Sequence, residues 1–396
     1  MRARGAIALG VALIAFLVLG IYLGGHPSKL PTFARETFTE EPTSLVAEAS
    51  EIIKDNYFRK VGDTELGNAS LQGMVRELRK RHKDRFSDYF SPESLEGFNQ
   101  QIEGHFSGVG LSVIEVKKGL KVVKVFHGSP AEEGGLKVGD TIVSVEGESI
   151  AGLDSTEATR KIKGPEGTKV TVGVVKPKSK KVSEKTLTRA EVVLPNVSSR
   201  VFPTDGKKIG YVRLLSFSSE ASKQLALGIE KAKREGAEGL VLDLRDNPGG
   251  LLDEAVSSAS LFLPEGEVVV STKSRTKGES TKKSGPGKIV DEPFDVLIDR
   301  GTASAAEILT AALQDDANAT VVGTRSYGKG VFQEEHDLAN GGALKLTVGE
   351  YFTPDGENLA RTGGIHPEVK VVDNPRTAVD EARRKALENV AAQVGG

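Results

Sequence analysis

Cysteine is absent from the 396-residue chain. Its absence excludes a disulfide framework, thiol catalysis and cysteine-ligated zinc. It leaves the redox compartment open. Histidine is scarce, at six residues. None stands in an HExxH or similar ligand spacing, so a histidine-based metal centre or triad has few candidates. An excess of charge of one sign is also missing. The formal net charge of -2 gives no basic field that would draw nucleic acid. No internal repeat is visible, and only one segment is apolar enough to cross a membrane. What remains is an ordinary globular composition, 27% charged and 38% hydrophobic, long enough for two or three domains plus linkers.

The single apolar segment runs from Ala6 to Gly24 without a charge. That is about the length one bilayer crossing requires. Arg2 and Arg4 before it predict a cytoplasmic N-terminus and an exported remainder. Residues 1–25 therefore read as an uncleaved signal anchor with one transmembrane helix. The competing reading is a cleaved signal peptide, which would make the chain secreted. The run ends Gly20-Ile21-Tyr22-Leu23-Gly24-Gly25, without an obvious small-residue cleavage site. Residues 26–42 are rich in proline, threonine and charge, as a linker is. In residues 43–104, Leu45, Val46, Ala49, Ile52 and Ile53 recur at helical spacing. Met74, Val75 and Leu78 repeat the pattern in a helix starting near Ser70. Ser91-Pro92-Glu93-Ser94 marks a third helix start. This small helical region has too little apolar content to stand alone. It is expected to pack on something else, such as a second copy of itself.

The texture changes across residues 105–188 to short strands and glycine turns. Val109 to Val113, Leu120 to Val125 and Lys169 to Val175 read as strands. Asp154 to Lys163 reads as a short helix capped by Asp154 or Ser155. The lysines from Lys176 to Lys185 mark a solvated hairpin or loop. Residues 189–372 alternate strand and helix. Strands are expected at Ile209–Leu214, Leu240–Leu244, Val268–Ser271, Phe294–Ile298 and Thr320–Val322. Helices are expected at Ser219–Arg234, Leu251–Leu261 and Ser304–Leu313. Such alternation predicts a largely parallel sheet with helices on its faces. Lys273 to Lys288 is polar and reads as a mobile loop. Residues 373–396 read as a helical tail.

In an open sheet of this kind, functional groups gather at the carboxyl ends of strands. Three such ends carry unusual residues. Asp243-Leu244-Arg245-Asp246-Asn247-Pro248-Gly249-Gly250 runs from a buried strand through two glycines into a helix, which suits an oxyanion or phosphate. Gly301-Thr302-Ala303-Ser304-Ala305-Ala306-Glu307 places Ser304 where a strand turns into a helix, as in a nucleophile elbow without the GxSxG pattern. Ser326-Tyr327-Gly328-Lys329-Gly330-Val331-Phe332-Gln333 sets a lysine between glycines. It does not satisfy GxxxxGK[ST]. Each has a plainer alternative: an ordinary turn, a helix cap by Ser304 or Thr302, a surface lysine. Together they form a chemistry. A serine hydroxyl needs a base to take its proton. Lysine serves if its pKa falls from about 10.4 toward 7–8, roughly 3–4 kcal/mol of differential solvation. Gln333 could hold the amine toward Ser304. Backbone amides near Gly249 or Gly250 and of Ala305 would meet the oxyanion.

On these motifs the chain resembles the carboxy-terminal processing peptidases, the tail-specific serine proteases, from about Leu45 to Val371. The family's catalytic serine matches Ser304, its lysine and glutamine match Lys329 and Gln333, and its oxyanion loop resembles Asp243 to Gly250. The resemblance implies a ClpP/crotonase-like protease core of α/β class with an inserted, mainly β, PDZ domain. The segment from Ser129-Pro130-Ala131 to Gly139-Asp140-Thr141-Ile142 resembles a PDZ domain. Ser107-Gly108-Val109-Gly110-Leu111 resembles its carboxylate-binding loop. The amides of Val109, Gly110 and Leu111 can form a nest for a terminal carboxylate. The last side chain of a peptide would enter a pocket of Leu111, Val113, Ala158 and Ile162. Some family members couple peptide binding to activity through an arginine at the end of the PDZ helix. Lys163 stands there instead, without the bidentate grip of arginine.

The resemblance thus implies a serine endopeptidase that recognises protein C-termini and cleaves through an acyl-enzyme. It requires no metal, nucleotide or other cofactor. It implies a catalytic part outside the cytoplasm, on the bacterial periplasmic or cell-wall side, and dimers through the terminal helical regions. The alternatives are a catalytically silent PDZ adaptor and a crotonase-like acyl-CoA enzyme. The intact Ser304, Lys329 and Gln333 stand against the first, and the PDZ motif and export signal against the second. His366, in Gly363-Gly364-Ile365-His366-Pro367, reads as structural. His105 and His127 have no obvious acid partner.

Overall fold

A computed structural model describes residues 41–193, 196–374 and 376–394. The expected anchor, Ala6 to Gly24, lies outside these residues, as does the linker up to Glu40. Among the described residues no helix is long and apolar enough to cross a membrane. The chain divides into two compact units, one holding the residues up to Pro92 with Glu334–Thr347, the other holding Glu93–Gln333 with Val348 onward.

In the first unit, α1 (Glu41–Asn56) and α2 (Asp63–His82) precede the short strand β1 (Asp88–Phe90). α2 begins at Asp63, ahead of the expected Ser70. Asp63 and Glu65 lie in its first turn and Arg79 to His82 in its last, matching both ends of the helix dipole. Val75 is buried, while Leu45, Val46, Ile52, Met74 and Leu78 remain exposed. β1 pairs antiparallel with Ala343–Lys345.

α3 (Pro92–Glu103), which belongs to the second unit from Glu93 onward, has proline in its first turn as expected. β2 (His105–Gly108) leads into a small sheet of β3 (Leu111–Val116), β4 (Gly119–Val125), β5 (Thr141–Val145), β7 (Lys169–Val175) and β8 (Val182–Thr188), in that order, with β6 (Glu148–Ser149) beside β5. Two short helices join them: α4 (Pro130–Glu133) and α5 (Ser155–Ile162). Asp154 caps α5, its carboxylate accepting the Glu157 N–H at 2.8 Å. The core is built from Leu120, Val122, Ile142, Ile150, Val170 and Val172. β9 (Ala190–Val193) pairs with β2 and brings the chain back out of this module.

The remainder is the larger sheet. Its strands are β10 (Val197–Thr204), β11 (Lys207–Leu214), β12 (Gly239–Asp243), β15 (Phe294–Ile298), β16 (Thr320–Gly323) and β19 (Val369–Lys370), in that order. Only β10 runs antiparallel; from β11 onward the pairs are parallel. β12 and β15 are buried at every position, as central parallel strands covered on both faces must be. One face packs α6 (Ala221–Arg234), α7 (Leu252–Ala259) and α8 (Ala305–Asp316) against Leu242, Val296 and Val321. The other packs α10 (Glu381–Gln393) against Ile209, Val241, Leu297 and Val322. Asp243 is paired with Leu297, and Ile298 with Gly323. This register sets the carboxyl ends of β12, β15 and β16 side by side, and with them the three loops singled out above.

Lys273 to Lys288 is not a loop throughout. β13 (Val268–Ser274) and β14 (Gly278–Lys283) form an antiparallel hairpin across it. The residues of β14 are almost all exposed, so no apolar alternation marks the strand. β17 (Val331–Asp337) and β18 (Ala343–Phe352) follow the lysine turn, and α9 (Leu359–Thr362) precedes β19.

Candidate active site

Ser304 stands at the start of α8 with φ 56° and ψ -119°, outside the regions a side chain ordinarily tolerates. The surrounding bonds hold it there. Its N–H donates to Glu307 Oε2 at 2.9 Å. The Ala303 N–H donates to the Asn247 carbonyl at 2.9 Å. Thr302 is fully buried, and its hydroxyl donates to the Leu244 carbonyl at 2.8 Å. The strain turns Ser304 off the line of the helix and leaves it partly exposed.

The glycine loop touches this turn. Gly249 has φ 94°, and a Cβ placed on it would lie 2.8 Å from Ser304 Cβ and 2.9 Å from the Ala305 nitrogen. Only glycine permits that approach. The Gly249 N–H, expected as one candidate oxyanion donor, donates instead to the buried Asn247 side chain at 2.9 Å. Asn247 in turn donates to the Leu214 carbonyl at 3.0 Å. Gly249 therefore supplies space and shape, not a donor. Gly250 is bridged to Phe217 in parallel fashion, with the Phe217 N–H on the Gly249 carbonyl at 2.9 Å and the Leu251 N–H on the Phe217 carbonyl at 2.7 Å. That pattern turns the Gly250 N–H away from Phe217. Ala305 is the first residue of α8, where an N–H has no acceptor within the helix.

The lysine turn is assembled from far along the chain. Lys329 is partly buried, and its Nζ donates to Gln333 Oε1 at 2.7 Å. The Lys329 N–H donates to Glu307 Oε2 at 3.0 Å, the same oxygen that receives Ser304. The two backbone nitrogens therefore lie within about 6 Å of each other. Glu307 Oε1 accepts the Gly328 N–H at 2.6 Å and the Ser326 hydroxyl at 2.5 Å. Burial pushes the Glu307 carboxyl above its ordinary pKa, against the pull of these four donors. The buried Tyr351 hydroxyl donates to the Lys329 carbonyl. Asn358 donates to the Gly330 carbonyl at 2.8 Å. A Cβ on Gly330 would lie 2.3 Å from Asn358 Oδ1, so the glycine beside the lysine is required by packing. Finally, the Tyr327 N–H donates to the Thr302 carbonyl at 2.9 Å, tying the lysine turn directly to the serine turn.

Ser304, Lys329, Gln333, Gly249, Gly250 and Ala305 are thus gathered in one place. Glu307, Asn247, Tyr351 and Asn358 were not singled out in the sequence. Glu307 had a signal, because Ser-x-x-Glu is a capping-box pattern. Asn358 and Tyr351 had none, since they reach the lysine turn from residues beyond it. His366 is exposed and lies with its ring 3.4 Å from the Thr362 carbonyl.

The smaller module carries a groove of about 370 Å³. Val109, Gly110, Leu111, Val113, Ile162 and Lys163 line it. β3 is the outer strand of its sheet and α5 lies beside it. The Val109 carbonyl accepts the Ala131 N–H at 2.8 Å, and the Gly110 carbonyl accepts the Phe126 N–H at 3.1 Å. Both carbonyls are thereby engaged inside the module. Ala158, expected in the pocket, does not line it. Its side chain faces the other way on α5, fully buried in the core with Leu120 and Ile150. Thr159, Phe106 and Phe126 are among the residues that line the groove instead. Among the described residues no cluster of histidine, aspartate and glutamate could hold a metal ion.

A serine on a strained strand-to-helix turn, a lysine turn bonded to it, and a separate peptide-sized groove define a serine peptidase with a peptide-binding module. The description of peptidase family S41 matches residues 208–371, and that of the PDZ domain matches residues 96–175. Over 352 residues the chain is 32% identical to the carboxy-terminal processing protease CtpA of Bacillus subtilis, covering 89% of this chain and 73% of that one. The chain belongs to peptidase family S41. It is also 34% identical over 328 residues to a CtpA-like serine protease of Staphylococcus aureus, covering 82% of this chain and 64% of that one. A solved structure from Bacteroides fragilis, described as an S41 protease, matches with a TM-score of 0.51 at 18% identity, covering 87% of this chain and 95% of that one. That last likeness speaks for the fold alone.

Proposed function

We propose that this peptidase takes protein C-termini into its PDZ groove and cleaves the tail at Ser304, with Lys329 as general base. The observation that most supports this reading is the shared Glu307 oxygen, which binds the amides of Ser304 and Lys329 together. Neutral Lys329 removes the Ser304 proton as the oxygen attacks the scissile carbonyl. Gln333 keeps the amine oriented. The Gly250 and Ala305 N–H groups receive the oxyanion. As the C–N bond breaks, protonated Lys329 gives that proton to the departing amine, leaving an acyl-enzyme on Ser304; neutral Lys329 then takes a proton from the water that releases the acyl group, and returns it to Ser304. Ala6 to Gly24 anchors the chain in the membrane with the catalytic part outside the cytoplasm, and the exposed apolar residues of α1 and α2 suit a second copy of the chain.

The test uses a folded carrier protein with an unstructured, apolar C-terminal tail, followed by mass spectrometry. Truncation within the tail is expected. Replacing the terminal apolar residues by aspartates is expected to slow truncation at least tenfold. Equal cleavage of both tails would remove the PDZ groove from substrate selection. No cleavage of either would favour the adaptor reading.

A further inference from the structure

The hairpin of β7 and β8 carries charge that the groove does not use. The two strands pair from Lys169 with Thr188 to Val175 with Val182. Between them stand Lys176-Pro177-Lys178-Ser179-Lys180-Lys181. The turn is held by its own bonds. Lys178 adopts φ 62°, the Ser179 N–H donates to the Lys176 carbonyl at 3.0 Å, and the Lys181 N–H donates to the Ser179 hydroxyl at 3.1 Å. Lys176 pins the turn to the loop before β5. Its Nζ donates to Asp140 Oδ2 at 2.9 Å and to the Gly135 carbonyl at 3.3 Å. The Asp140 side chain is almost fully buried and also accepts the Lys137 N–H at 2.9 Å. A Cβ on Gly139 would lie 3.3 Å from Pro177 Cγ, so the two segments touch. Lys137 and Val138 therefore share one surface with Lys178, Lys180, Lys181 and Val182. All six are exposed, Val138 by 63% and Val182 by 50%. Among the described residues none of these four lysines forms an ion pair. They raise a local positive potential on a chain whose formal net charge is -2.

We propose that this patch is a second membrane contact, which docks the peptide-binding module on a surface of anionic phospholipid. The lysines meet the lipid phosphates, and Val138 and Val182 enter the boundary between headgroups and acyl chains. Lysine suits this partner. A hydrated point charge on a flexible stem meets a field of phosphates without needing a shaped site. The inference rests on the proposed anchor to bring the patch to a bilayer. Residues 26–40, between the Ala6–Gly24 run and α1, span at most about 50 Å. The sheet order β3-β4-β5-β7-β8 sets β8 four strands from β3, about 19 Å away. Docking through the β7–β8 turn therefore leaves the groove beside β3 open. The tails it meets first are those of proteins at the membrane surface.

The chain has no cysteine, so one introduced thiol carries a polarity-sensitive fluorophore at a single site. The full chain is labelled at Val182→Cys, or at Glu166→Cys beyond the other end of β7 as a control. It is reconstituted in vesicles of phosphatidylcholine alone or of phosphatidylcholine with phosphatidylglycerol. Emission from the Val182 site is expected to rise several-fold and move to the blue only with phosphatidylglycerol. It should fall back when salt shortens the Debye length to about 3 Å. Each lysine is worth about fivefold in association with such a surface. Lys178→Glu, Lys180→Glu and Lys181→Glu together should therefore abolish the response, with an unchanged circular dichroism spectrum. Equal emission from the Val182 site in both kinds of vesicle would overturn the contact. So would an equal response from the Glu166 site. A matching response to inorganic polyphosphate would assign the patch to soluble polyanions and overturn the lipid contact. Flotation with the phosphatidylcholine vesicles reports on the anchor separately. A chain that does not float contradicts the anchor, and the response of the Val182 site to added anionic vesicles still decides the patch.

Discussion

Glu307 Oε2 receives the N–H of both Ser304 and Lys329, while Oε1 receives Gly328 and Ser326. The spacing of the proposed nucleophile and its proposed base is therefore fixed by a carboxylate that need not touch substrate. This makes Glu307 a positioning residue with a specific expected phenotype. An amide in its place must turn a donor toward two of the four donors, leaving them unsatisfied at about 1–3 kcal/mol each. Glu307→Gln is predicted to lower kcat about a hundredfold while changing KM less than threefold. It should leave peptide binding in the PDZ groove intact. A parallel loss of groove binding would mark the effect as general unfolding. Ser304 and Lys329 were legible in the sequence because both lie in glycine-bearing turns at strand ends. The role of Glu307 was only half legible. Its pattern beside Ser304 announced a helix cap, but nothing local announced that the same carboxylate would reach the lysine turn. Gly249 was misread as a donor for a related reason. Its glycine character is visible in sequence, but the Asn247 side chain that occupies its N–H is a matter of three-dimensional packing.

At the scale of elements, buried strands and amphipathic helices were readable and exposed strands were not. β12 and β15 are short apolar runs bounded by turns, and β14 carries no such contrast. The C-terminal helix α10 was expected only as a tail. It covers one face of the large sheet, and its polar side chains address a carboxylate buried on β15. Asp295 is fully buried and accepts from Asn389 at 2.8 Å and from Gln393 at 3.0 Å. Burial pushes its pKa up from 3.8 to about 6, in spite of these two donors. The folded chain thus binds this proton more tightly than the unfolded one. The resulting stabilisation is complete below about pH 4 and is lost as pH rises through about 6. The shift corresponds to roughly 2–3 kcal/mol. Asp295→Asn is predicted to remove this component. Its Tm relative to the wild type should be several degrees higher at pH 8 than at pH 5. The same difference at both pH values, read by differential scanning fluorimetry, would contradict it.

For the whole molecule, the sequence reading assigns a membrane anchor, a peptide-binding module and a peptidase to one chain. The anchor is the prediction that rests on sequence alone, through the uncharged run from Ala6 to Gly24 behind Arg2 and Arg4. Removing residues 1–25 and supplying a cleavable export signal should move the protein from the carbonate-resistant membrane fraction to the soluble exported fraction. Its kcat/KM on a soluble tailed substrate should change less than threefold. The order of PDZ domain and peptidase was legible because the two have their own textures: glycine turns between short strands, then alternating strand and helix. The residues that hold the serine and lysine turns in place come together only after folding. The central claim is that Ser304 is the nucleophile and Lys329 its base. Its most direct test is the turnover of an apolar-tailed substrate by Lys329→Ala and Ser304→Ala, each checked for native circular dichroism and retained peptide binding. A loss of at least a thousandfold in both is predicted. Cleavage within tenfold of the wild type in either variant would contradict the assignment.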